Sequence, residues 1–172
     1  MFASSMAGPA TLRFAACHPT RVERLCFFGS AISGTDMAPP QMQDAMLKLV
    51  AAHWGMGSRV LADIFVPGLG ADAVDRIAEL ARRASTGDVA VETLKLAYRL
   101  DASADVGRVT APALVLHREG DRAVPFAAGR KLAAALPNAR FARLPGAVHL
   151  AWEGADDVAA RANRFLRGED AG

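Results

Sequence analysis

The chain has 172 residues, of which 52% are hydrophobic and 22% charged, and its formal net charge is +2. That size and apolar content suit one domain with a substantial core and exclude a disordered segment. Basic and acidic residues are interspersed without a like-charge run, which argues against nucleic acid as a partner, and no apolar stretch approaches the ~18 residues of a membrane span.

The opening, Phe2-Ala3-Ser4-Ser5-Met6-Ala7-Gly8-Pro9, reads as a strand stub that turns sharply into a helix over 8–17. Pro9 suits the first helical turn, and Leu12, Ala15 and Ala16 share a face. Residues 1–17 also have the Arg, Ser and Ala content of a transit peptide, but the strand-turn-helix pattern is the stronger reading. His18-Pro19 ends the helix, because a residue before proline avoids helical geometry. Val22 to Phe28 is an apolar run expected to form a strand buried on both faces. After a loop over 30–40, four helices are predicted at 40–53, 57–65, 70–84 and 87–99. Their breaks fall at Gly55-Met56-Gly57, at Pro67 to Gly70 and at Ser85 to Gly87, with Ser58, Asp72 and Asp88 as helix-start signals.

Strand texture returns at Ala113-Leu114-Val115-Leu116-His117, followed by a turn at Glu119-Gly120-Asp121. A helix over 126–136, a strand over 140–144, a loop carrying His149 and a helix over 155–166 follow, and Gly168 to Gly172 read as a frayed tail. Strands alternating with helices predict an α/β fold with a parallel sheet, about three strands plus the stub. The core is expected in 1–29 and 110–172, and 30–109 form a helical insertion. Cys17 and Cys26 have neither metal-ligand nor disulfide spacing and are expected to be buried free thiols, which fits a reducing, cytoplasmic setting.

Functional groups in open parallel sheets gather at the carboxyl ends of strands. Ser5, Asp121 and His149 each follow a predicted strand at that end. A serine hydroxyl is a weak nucleophile until an imidazole takes its proton, and the imidazole needs a carboxylate to fix its tautomer. Those roles fall to Ser5, His149 and Asp121. A small-residue turn is what a strained serine elbow needs, with Ala3 and Ala7 standing where glycine is usual. Ser4 is the one-residue-shifted rival, but it would place Phe2 and Met6 where small residues are wanted. Asp36 is the alternative acid.

These segments resemble the α/β-hydrolase superfamily, from its nucleophile elbow onward. The similarity rests on Ser4 to Pro9 with Phe14 to Val22, on Ala111 to His117 with Gly120-Asp121, and on Leu144 to His149. It extends over essentially the whole chain. The phrase from His117 to Phe126 is also similar to hydrolase modules fused to bacterial cyclases and regulators. The resemblance implies a Ser-His-Asp hydrolase of esters, lactones or related acyl compounds, with a helical lid and no cofactor. It makes the Met6 backbone N–H one oxyanion donor. Family members carry further strands before the elbow and a second donor on a loop among them, so the chain is expected to be an N-terminally shortened hydrolase. Loss of one donor typically costs ~10²–10³ in rate. Its exposed sheet edge would invite a second copy or the missing segment.

The competing expectation is a non-catalytic module that binds a small ligand beneath the lid. His18, His53 and His117 are expected to be structural, and Trp54, Met56 and Phe65 to form lid core. Arg82-Arg83 reads as a solvated helix face. Trp152 suits a pocket wall or the core equally well, and no metal-ligand pattern occurs.

Overall fold

The computed structural model describes residues 1–153 and 156–169. The predicted helix start at residue 155 and the last three residues of the expected tail lie outside the described residues. Strands β1 (Phe2–Ser4), β2 (Leu25–Phe28), β3 (Ala113–Arg118) and β4 (Ala139–Leu144) form one parallel sheet in the order β1-β2-β3-β4. Helix α1 (Ala7–Cys17) links β1 to β2, α6 (Phe126–Ala135) links β3 to β4, and α7 (Asp156–Arg167) follows β4. Between β2 and β3 come α2 (Pro40–Ala52), α3 (Trp54–Phe65), α4 (Ala71–Ala84) and α5 (Gly87–Arg99).

Period-two alternation assigns the two sides of the sheet. Leu25, Phe27, Ala113 and Val115 pack with Ala3, Leu12 and Ala15 beside α1 and with Leu132 of α6. Cys26, Phe28, Leu114 and Leu116 pack on the other side with Val158, Ala162 and Phe165 of α7. Burying each large apolar side chain contributes about 1.5–3 kcal/mol, so both faces must be apolar for the central strands to hold their place. At the β1 edge Phe2 stays 45% exposed and Trp152 66% exposed. Both line an apolar groove of about 460 Å³ with Val158, Ala162 and Leu166, so Trp152 is not core.

The four-helix segment leaves and rejoins the sheet through one stitched neck. Ser33 bridges Asp101, Gly34 N–H donates to Leu100 O at 2.8 Å, and Ala102 N–H donates to Ile32 O at 3.0 Å. A side chain at Gly34 would lie 2.3 Å from the Tyr98 carbonyl, so the two chain segments can approach only at glycine.

Several local expectations change. The strand predicted from Val22 begins at Leu25, because a 3₁₀ turn over Pro19–Arg21 carries the chain past Val22. The predicted break at Gly55-Met56-Gly57 is helical. α3 starts at Trp54, where His53 Nδ1 accepts the Met56 N–H at 3.1 Å. Gly57 is retained there for packing, since a Cβ would lie 2.9 Å from Val50. Ser58 is therefore not a helix start but a buried residue inside α3, bonded to Gly55 O. It also accepts from Arg82. Arg82 and Arg83 are both exposed, as expected of a solvated helix face, and Arg83 lies near Glu79. Gly70 and Thr86 cap α4 and α5, and Asp72 and Asp88 fall in the first turns, where negative charge suits the helix dipole. Cys17 is exposed, contrary to expectation, because it closes α1 on the side away from Leu12 and Ala15. Cys26 is buried in β2, and burial pushes its thiol up to about 12.

Candidate active site at the carboxyl edge of the sheet

Ser5 follows β1 with φ 54°, the one positive φ at a non-glycine among the described residues. Such a left-handed serine costs roughly 1–2 kcal/mol and persists only when its surroundings hold it. Three hydrogen bonds do so. Ser5 N–H donates to Phe28 O at 3.0 Å, while Ser5 O accepts the Ser30 hydroxyl at 2.7 Å and the Gly8 N–H at 3.2 Å. The small residues divide their tasks. Ala3 is buried among core side chains and Ala7 is exposed, so both sites accept a methyl. Glycine is demanded at Gly8 instead, where a Cβ would lie 1.8 Å from Ser30 Oγ. Met6 is the N-cap of α1, and its N–H donates to no described residue. It therefore stands free beside Ser5 at a helix N-terminus, where partial positive charge accumulates.

Asp121 is 6% exposed, in the turn that follows β3. Its Oδ1 accepts the N–H groups of Ala123 and Val124 at 2.9 and 3.0 Å, which fixes the carboxylate. Glu119 N–H to Leu144 O and Gly120 N–H to Gly146 O clasp this turn to the loop after β4. That loop carries His149, which is 3% exposed. Its Nδ1 lies 2.8 Å from Asp121 Oδ2 and its Nε2 lies 2.8 Å from Ser5 Oγ. A carboxylate only accepts, so Nδ1 carries the proton and Nε2 is left to accept from the Ser5 hydroxyl. The three residues singled out in the sequence thus meet in one chain of hydrogen bonds, and Ser4 stays in the strand, paired with Phe28.

Other candidates lie elsewhere. Asp36 accepts from Lys131 at 2.6 Å. His18 packs on Phe14, and His53 caps α3. His117 is held inside the fold. It is wholly buried, its Nε2–H donates to Val124 O at 2.8 Å, and it stands 3.6 Å from Asp121 Oδ2. Its Nδ1 has no hydrogen-bond partner, and burial pushes its pKa below the usual histidine value, against the pull of Val124 O and Asp121. The ring is therefore neutral, with the proton on Nε2.

Phe65, expected in lid core, stacks on the His149 ring at 5.5 Å, and its carbonyl accepts the His149 N–H at 2.7 Å. Trp54 bonds to Ser85 O, while Met56 is exposed and borders a groove of about 730 Å³ with Val60 and Val74, away from Ser5. Sequence reasoning overlooked Ser30 and Arg118. For Arg118 a signal existed, a charged residue ending a strand that is otherwise apolar up to His117.

No family model matches the chain. Among solved structures it is similar to a hydrolase from Oleispira antarctica, with TM-score 0.83, 11% identity, and coverage of 96% of this chain and 64% of the other. An esterase from Exiguobacterium antarcticum gives TM-score 0.83 and 14% identity over 96% and 65% of the two chains. The enol-lactonase from Burkholderia xenovorans LB400 gives 0.70 and 23% over 98% and 62%. The chain thus spans somewhat under two thirds of the length of these structures. At such identities the likeness establishes the fold, which is a partial α/β-hydrolase fold.

Proposed function

We propose that this chain, with its partial α/β-hydrolase fold, is a serine hydrolase module for an ester, lactone or related acyl bond. The observation that carries this reading is the unbroken relay from Ser5 Oγ through His149 to Asp121, at 2.8 Å in both links. The solved esterase and enol-lactonase of like fold support the substrate class.

In this reading His149 Nε2 takes the Ser5 proton as Oγ attacks the acyl carbon, and Asp121 stabilises the imidazolium that forms. The carbonyl oxygen gains the negative charge and meets the Met6 N–H. Collapse of the intermediate expels the leaving oxygen, which takes the proton back from His149 and leaves an acyl ester on Ser5. Water, deprotonated by the same nitrogen, then attacks that ester, and Ser5 is restored as the acid departs.

The division into a core of 1–29 and 110–172 and a lid of 30–109 is part of the proposal, supported by the single neck at Ser33 and Asp101 and by Phe65 resting on His149. Completion of the sheet beyond β1, by further strands or a second copy, belongs to the same reading. Among the described residues no helix is long and apolar enough to cross a membrane. The free thiols of Cys17 and Cys26 support a reducing, cytoplasmic setting.

A fluorophosphonate probe tests the proposal. The folded chain should be modified at Ser5, and Ser5→Ala should abolish modification. A folded chain that resists the probe would leave only the non-catalytic, ligand-binding alternative.

A further inference from the structure

Arg118 ends β3 and is only 6% exposed. Its guanidinium turns toward the loop of His149. Nη1 donates to Val148 O at 2.5 Å and to Leu150 O at 3.2 Å, and Nη2 donates to Glu153 O at 3.3 Å. The guanidinium carbon sits 5.1 Å from the centre of the Phe28 ring. Its backbone carbonyl accepts the Asp121 N–H at 3.3 Å. One residue therefore grips both sides of the Asp121–His149 contact. It holds the Asp121 turn by its main chain and the carbonyls on either side of His149 by its side chain.

The need for such a grip is plain from the local structure. Residues 145–149 have neither helix nor strand hydrogen bonding to place them. His149 nevertheless has to hold two ring nitrogens at bonding distance from groups on two different strand ends. A loop left to itself samples positions an ångström or more apart, and misplacement on that scale costs on the order of 10²-fold in a reaction.

We propose that Arg118 is a positioning residue that sets the place of His149 between Ser5 and Asp121. The part rests on the reading of His149 as the general base. It depends on the planar fork of arginine, which spans separated carbonyls while lying against an aromatic face, and a lysine ammonium is a single point donor.

The experiment compares the full chain with Arg118→Lys, which keeps the charge and the apolar stem. Leu132→Val, on the opposite side of the sheet, reports loss of stability alone. Proton NMR of the His149 ring N–H and the rate of fluorophosphonate labelling are both read. The expected result is a folded R118K whose His149 ring proton is lost to exchange with water and whose labelling is slower by on the order of 10–100-fold. L132V should leave the ring proton in place. A folded R118K with the wild-type ring proton and labelling rate overturns the proposal, as does loss of the ring proton in L132V at equal stability. If the wild-type chain is not labelled, the functional reading falls, and the ring proton still decides the role of Arg118. If R118K does not fold, the wild-type guanidinium decides. Slow exchange of its N–H protons, matched to that of the His149 ring, supports the clamp, and exchange like that of a surface arginine overturns it.

Discussion

The hydroxyl of Ser30 donates to the carbonyl of Ser5 at 2.7 Å, so the residue just past β2 latches the strained residue just past β1. Ser30 is fully buried, and its Oγ occupies the space where a Gly8 side chain would go. Gly8→Ala should therefore destabilise the chain by about 1–3 kcal/mol, the usual cost of overpacking. Ser30→Ala should cost about 1 kcal/mol, a lost hydrogen bond. In the double variant the clash with Oγ is gone, and the two changes should sum to less than their separate costs. Urea midpoints of the four proteins measure this coupling, and strict additivity would refute the close contact between Gly8 and the Ser30 hydroxyl.

Gly29 lies at φ +53°, and a Cβ there would stand 3.1 Å from both Asp121 Oδ2 and the His149 ring. Gly29→Ala should lower the rate of fluorophosphonate labelling about ten-fold or more while costing roughly 1–2 kcal/mol of stability from the left-handed backbone. Labelling kinetics beside a denaturation curve separate the two effects. Wild-type labelling in G29A would mean that the imidazole tolerates displacement.

The buried, neutral His117 makes stability depend on pH. Its pKa is lowered in the fold, chiefly by burial, below the value of 6.5 expected in the unfolded chain. As pH falls below that value the unfolded state takes up a proton that the folded state resists. The stability His117 contributes is therefore intact above about pH 6.5 and is lost as pH falls further toward its folded pKa. Urea midpoints from about pH 7.5 down to about pH 5 should fall more steeply for the wild-type chain than for His117→Gln. Parallel slopes would show that His117 takes no part.

The two thiols should react very differently. Cys17 is exposed, and the Cys26 thiol is buried and pushed up to about 12, which leaves almost no thiolate at neutral pH. Iodoacetamide should add once to the native chain, and Cys17→Ser should abolish the native reaction, with Cys26 responding only after unfolding. Mass spectrometry gives the count directly.

What the sequence determined by itself lies at strand ends and in hydrophobic period. The β2 run, and β3 from Ala113 to Leu116, are apolar at every position because both faces are covered, and that pattern is legible without coordinates. Ser5, Asp121 and His149 were identifiable because parallel strands deliver their following loops to one edge. Only the tertiary structure decided which small residues had to be small. Gly8 answers to Ser30, and Gly57 answers to Val50, contacts that local sequence does not encode. The same holds for Arg118 and Phe65, whose partners around His149 lie 30 or more residues away. Periodicity reports which face of an element is buried. What that face meets depends on how the elements close on one another, and there the hydroxyl of Ser30 and the fork of Arg118 find their carbonyls.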